Sequence, residues 1–177
     1  MIRGAAAVLL TAVSAAVATT AAPSSPARAA CGFERWAVKT LQDRPQLLRA
    51  RPTTVAHLDA VPAPHELPPT RLPFEHHVFT VLAAVTLVRH ELDQDLHLVL
   101  RSGPNHMIAE APAPACTVGA TPYRRRQMAN ARKAVRLCAR AKITGVAFFD
   151  FKHGQTGVAP NAIELHPILD FVCSGTS

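Results

Sequence analysis

A chain of 177 residues, 49% apolar and 18% charged, is long enough to bury one core and too apolar to be a disordered polymer. Its net charge of +7 points toward anionic partners, yet aromatic residues make up only 5% of it, which argues against a single-strand nucleic-acid platform built on base stacking.

The chain opens with one cation, Arg3, then an Ala-rich apolar run from Ala5 to Ala18, then small and polar residues ending in Ala27-Arg28-Ala29. That is the pattern of a cleavable secretory leader with an A-x-A site. The run is shorter than the roughly 20 apolar residues a spanning helix needs. Arg28 stands where a lipid-attachment motif has Leu, so Cys31 is not read as a lipid anchor. The expected product is secreted, with no transmembrane segment in its mature part, and holds Cys31, Cys116, Cys138 and Cys173. An even number of cysteines in an oxidising compartment favours two disulfides. Of three connectivities we expect Cys116–Cys138, tying a strand end to a helix, and Cys31–Cys173, tying the termini. The lack of a C-x-x-C pair argues against a zinc knuckle or thioredoxin-type site.

Residues 30–73 read as a Pro-rich N-terminal arm, with a short strand over Glu34–Thr40 and a helical turn over Thr54–Asp59 capped by Thr53 or Thr54. Residues 74–173 read as the domain proper. Val78–Arg89 is a long β-branched run, and Asp95–Arg101 alternates, with Leu96, Leu98 and Leu100 on one face. Ser102-Gly103-Pro104-Asn105 is a turn, and His106–Ala111 a third strand. Thr121-Pro122 starts a helix whose Met128, Ala131, Val135 and Cys138 form one apolar stripe. Strands at Lys142–Asp150 and Ile163–Phe171 follow, joined by the loop Phe151–Asn161. Three strands, a helix and two strands is the order of the OB-fold, a five-stranded barrel. The fold expected is therefore mainly β with one helix, an OB-like barrel carrying an irregular arm, with a small β-sandwich as the competitor.

The strings Arg35-Trp36-Ala37-Val38-Lys39-Thr40, Asp93-Gln94-Asp95-Leu96-His97-Leu98-Val99-Leu100 and Thr144–Asp150 recur in a known pattern, as does His153–Asn161 followed by Ile163-Glu164-Leu165-His166-Pro167. On these the chain resembles a family of uncharacterised secreted bacterial proteins carrying RWxVKT, DxDxHLVL and TGVxFFDxxHGQxGxAPNxIELHP. The resemblance implies one unit from Cys31 to the C-terminus and carries no activity with it.

Strand parity places the candidate chemistry. With Leu96, Leu98 and Leu100 inward, Asp95 and His97 face outward, and with Ile163, Leu165 and Pro167 inward, so do Glu164 and His166. The loops Glu91–Gln94 and Phe151–Asn161 would frame an OB ligand site, the second bringing Lys152, His153, Gln155 and Asn161. Asp93, Asp95, His97, His153, Gln155, Glu164 and His166 are thus the expected ligand-binding surface. Imidazole with carboxylate suits a divalent metal, with His97, His153 and His166 as the candidate ligands, or acid–base chemistry. The alternative is that these groups only hydrogen-bond loops, His97 anchoring the long one. Trp36 reads as a core plug, and neither a G-x-S-x-G nucleophile elbow nor a phosphate loop is present. Arg124, Arg125, Arg126, Arg132, Lys133 and Arg136 make the helix basic, a face for a polyanion or an ordinary solvated one. Three functions follow in order: a secreted binding module for an anionic or polar ligand, a structural envelope domain without a ligand, and a metal-assisted hydrolase of phosphodiesters or glycans.

Overall fold

The structure, a computed structural model, describes Met1, Cys31, Gly32 and residues 34–175. Apart from Met1, the expected leader at residues 1–29 lies outside them. In chain order the elements are α1 (Trp36–Lys39), β1 (Arg51–Pro52), α2 (Val55–Asp59), β2 (Val78–His90), β3 (Leu96–Ser102), β4 (Asn105–Ala111), α3 (Pro122–Ala134), β5 (Cys138–Phe149) and β6 (Ile163–Cys173), with single 3-10 turns at Pro73–His76 and Pro114–Thr117.

The strands run β1-β2-β3-β4-β6-β5, and β5 pairs back onto β2. This closes β2 to β6 into a five-stranded barrel with α3 between its third and fourth strands, the OB-like architecture, and removes the sandwich alternative. Pairing is antiparallel except for β4 with β6 and for the short β1 on β2. Register shifts in β2 near Val85 and in β5 near Gly145 let these long strands coil around the barrel. Leu96, Leu98 and Leu100 do point inward, against Val81, Ala83, Met107, Ala109, Ile143 and Leu165 in one continuous core.

Local chemistry explains the helices. Thr54 caps α2, accepting from the His57 N–H at 3.0 Å, and the helix buries Val55 and Leu58 against the barrel. Thr121 caps α3 by accepting from Arg124 N–H, with Pro122 at the first position, and Met128 and Ala131 form the buried stripe. The stripe stops there. The helix ends at Ala134, and Cys138 opens β5 instead of closing the helix. That boundary decides the disulfides: the bonds are Cys138–Cys173, between neighbouring strands, and Cys31–Cys116, which staples the arm to the barrel. The expected pairing is overturned because Cys138 lies on a strand beside β6.

The segment expected as a strand at Glu34–Thr40 is the short helix α1. It is held from outside. Arg35 donates to Glu75 Oε1 and Oε2 at 2.7 and 2.6 Å and to the carbonyls of Pro68, Thr70 and Phe149, and its guanidinium lies 4.7 Å over the Phe148 ring. Arg71 ties Asp43 to the carbonyls of Val38 and Glu75. Among the described residues no helix is long and apolar enough to cross a membrane.

Candidate functional site

Alternation along β3, β4 and β6 gives the barrel an outer row of His97, Glu110, Glu164 and His166. The hairpin register sets His97 opposite Glu110. The parallel register, Ile108 opposite Glu164, then places Glu110 beside His166. An outer row of this kind is ordinarily wet, and the expectation was a polar surface. Instead Asp95, His97, Glu164 and His166 are all buried. The cause is a cover: α1 brings Lys39 to Asp150 beside the row, and the loop 151–161 folds onto β3. Gly157, at φ +87°, permits that approach, since a Cβ there would stand 2.6 Å from Val99 Cγ2.

Between cover and barrel a cleft of about 380 Å³ opens, lined by Gly32, Glu34, Trp36, Lys39, Glu91, Leu92, Asp93, His97, Glu110, Asp150, His153 and Gln155. Both loops that frame ligands in OB barrels border it. Five of its lining residues are carboxylates. Lys39, reaching in from α1, donates to Asp150 at 2.9 Å. Burial alone would lower the Lys39 pKa, but Asp150, Glu164 and Glu110 outweigh it and hold the ammonium charged well above its usual range.

His97 shows the logic of the floor. Its Nδ1 stands 2.9 Å from Glu110 Oε1 and its Nε2 2.8 Å from the Thr156 carbonyl. With Glu110 ionised, both partners only accept, so both ring nitrogens must donate and the ring is an imidazolium. Burial opposes that charge, but Glu110, the Thr156 carbonyl and Glu91 raise its pKa. His97 therefore joins β3, β4 and the long loop.

Beneath it His166 lies fully buried, Nε2 3.3 Å from Asp95 Oδ2 and Nδ1 3.1 Å from Glu110 Oε2, with Glu164 Oε2 at 3.7 Å. These contacts are close but out of line. Both ring nitrogens, Asp95 Oδ2 and Glu164 Oε2 are sealed from solvent without a hydrogen bond. Burial works against an imidazolium here, yet the three carboxylates raise the His166 pKa well above its ordinary value. Glu164 is pushed up to about 7 by burial and by Glu110, partly offset by His166. For Glu110 burial pushes upward, but His166 and His97 win and keep it ionised, below the usual carboxylate range. Asp93, half-buried at the cleft wall, is raised by burial and by Asp95.

The seven expected site residues lie near one another, though at three depths. Asp95, Glu164 and His166 lie under the floor, His97 forms it, and Asp93, His153 and Gln155 line the wall and rim. His153 is exposed, its Nε2 3.2 Å from Glu34 Oε2. Gln155 braces the loop, accepting from His153 N–H and donating to the Phe151 carbonyl. Lys152 and Asn161 turn away, to Pro160 and to the Leu58 and Val61 carbonyls. The three imidazoles do not share a point. Candidate ligand atoms lying within 4.8 Å of one another form two groups among the described residues, Glu34/Asp150/His153 and Asp95/Glu110/His166, each with one imidazole. His97 is in neither, both its nitrogens being engaged elsewhere. Trp36 is half-buried in the cleft wall, not a core plug. Sequence reasoning missed Lys39, Glu110 and Asp150 as members of the site.

No family model matches the chain, and comparison with curated proteins gives no match. Among solved structures, a Leishmania major Friedlin protein assigned as an aspartyl-tRNA synthetase aligns at 12% identity over 72% of this chain and 21% of its own, with a TM-score of 0.48. An Entamoeba histolytica asparaginyl-tRNA synthetase aligns at 13% identity over 73% of this chain and 25% of its own, TM-score 0.43. The aspartyl-tRNA synthetase of the same organism aligns at 16% over 75% and 27%, TM-score 0.42. The chain spans about a quarter of these proteins' lengths, and the ligand has to be argued from its own residues.

Proposed function

We propose that the chain is a secreted binding module whose cleft takes a polar, hydroxyl-rich ligand of the oligosaccharide class. The observation that carries this is where the cleft lies and what lines it. It occupies the β3–β4 face between the two loops with which OB barrels hold oligonucleotides and oligosaccharides. Its carboxylates Glu34, Glu91, Asp93, Glu110 and Asp150 outnumber its cations, so a phosphate-rich strand would be repelled there. Carboxylates suit donors such as sugar hydroxyls, and Trp36 offers an amphipathic ring beside them. Secretion is part of the reading, supported by the leader pattern and by two disulfides.

Trp36 is the sole tryptophan, so its fluorescence reports on the cleft alone. Titration with neutral oligosaccharides is expected to shift that emission saturably, and Asp93→Asn or Glu91→Gln to weaken the response. An unresponsive Trp36 across a broad oligosaccharide panel would overturn the reading.

A second reading concerns α3 and the residues just after it. Arg125, Arg126, Lys133 and Arg136 are exposed, and no ion pair among the described residues engages them. That leaves them available to a polyanion. Arg132 is not available, since it donates to the carbonyls of Ala111 and Gln94. Retention on a polyanion column that falls steeply with salt, and falls further in Arg125→Ala/Arg126→Ala, would support this face.

A further inference from the structure

We propose that Asp95, Glu110 and His166, with Glu164 alongside, form a divalent transition-metal site beneath the floor of the cleft. The proposal does not rest on the oligosaccharide reading. Three carboxylates surround one imidazole in a place sealed from water: Asp95 and His166 show 0% and Glu164 3% exposure. Such a group, left as it stands, gathers several ionisable side chains where charge is costly. Hydrogen bonding does not resolve it, because Asp95 Oδ2, Glu164 Oε2 and both His166 nitrogens make ion-pair contacts at most and no hydrogen bond. Native interiors leave few polar atoms without a hydrogen bond, and one His166 nitrogen with carboxylate oxygens beside it points to an ion that those atoms hold.

The donor set fits a cation. One imidazole with carboxylate oxygens is the ligand mix of zinc and manganese, and the candidate atoms of Asp95, Glu110 and His166 lie within 4.8 Å of one another. Ligands around a tetrahedral ion with bonds of about 2.0–2.2 Å stand about 3.4 Å apart, so side chains now within 4.8 Å of one another must draw in to hold it. Asp95 is already fixed, its Oδ1 accepting from the Ala113 N–H at 3.2 Å. Glu110 is fixed by His97, which takes Oε1 and leaves Oε2 facing His166. His97 is thus a positioning residue of the outer shell, not a ligand. An ion reaches the site past Glu110, whose side chain keeps 11% of its surface exposed to the cleft.

The test uses the disulfide-bonded protein after chelator treatment, with Zn²⁺ and Mn²⁺ as probes in equilibrium dialysis. One ion per chain is expected to be retained, with affinity lost in Asp95→Asn and His166→Gln. His97→Gln should weaken it about 10–100-fold, the usual effect of removing an outer-shell partner. Glu34→Gln and His153→Ala should leave it unchanged. The wild-type protein supplies a readout that needs no variant to fold: bound Mn²⁺ should show magnetic coupling to a single imidazole nitrogen. No retained ion, no nitrogen coupling, or binding that disappears with Glu34→Gln or His153→Ala would each overturn the assignment. None of these results bears on the Trp36 titration with oligosaccharides.

Discussion

Replacing Arg35 by Leu tests whether the arm belongs to the same cooperative unit as the barrel. Arg35 and Glu75 are paired at 2.6 Å with side chains 2% and 0% exposed, and the guanidinium also serves three backbone carbonyls. Removing one partner of such a buried pair strands the other and costs about 3–5 kcal/mol. Glu75 keeps two donors, the N–H groups of Leu72 and Phe149, which softens the loss toward the lower end. A domain of this size loses about 2–4 °C in Tm per kcal/mol, so a fall of about 6–20 °C is expected. Urea unfolding with disulfides intact, followed by far-UV circular dichroism and by Trp36 fluorescence, measures the loss and its distribution. If α1 is locked into the domain, the two probes shift together and the slope with denaturant is unchanged. Arg35→Lys, which keeps the charge and loses the fork, should recover part of the loss. A destabilisation below about 1 kcal/mol would refute the view that this buried clamp holds the cover in place.

Peptide mapping under non-reducing conditions should yield Cys31–Cys116 and Cys138–Cys173. Cys138→Ala/Cys173→Ala should cost about 4 kcal/mol for a loop spanning 35 residues, and a Cys116–Cys138 peptide would contradict the fold. Stability of the chelator-treated protein should fall as pH rises from about 5 to 8, because folding raises His97 and His166 above 6.5 and Glu164 from 4.5 to about 7, so the folded chain holds protons the unfolded chain releases. Below the ordinary Glu value of 4.5 the trend reverses, since folding lowers Glu110 and its stabilising contribution is lost on protonation. Urea midpoints that stay flat or rise across that upper range would be incompatible with this. Gly157→Ala, at φ +87° and against Val99, should lower Tm more than Gly154→Ala, at φ +83° with open space around it, and equal effects would argue that the loop does not rest on β3.

The barrel was legible because its strands carry a strong period. Leu96, Leu98 and Leu100 on one parity and the turn at 102–105 set both the inward face and the β3–β4 hairpin. The end of α3 was not. The segment after Ala134 contains neither glycine nor proline, the usual stop signals. A helix running on through Val135 keeps its apolar spacing to Cys138, so periodicity alone assigns that cysteine to the wrong element, and the disulfide pairing fails with it. The segment 34–40 was misread for a different reason. Seven residues offer too little pattern to separate a strand from a turn of helix, and Arg35 fixes α1 through Glu75, 40 positions away.

The site shows the same division between local pattern and long-range contact. Parity identified Asp95, His97, Glu164 and His166 as outward, which is correct for the barrel taken by itself. It says nothing of what lies over them, and the cover is made by a helix and a loop whose docking no local period encodes. Glu110 was within reach of sequence reasoning: a hairpin in which Ser102 faces Asn105 necessarily sets position 110 against position 97. Lys39 and Asp150 were not, because their 2.9 Å contact joins the arm to the end of β5 across 111 positions. This bears on chemistry as well as on prediction. The same four side chains in water would be a solvated polar face. Beneath α1 they become a buried group whose carboxylates and imidazoles must settle their charges among themselves and not with water, which is why burial, and not the residue types alone, makes this row a candidate site.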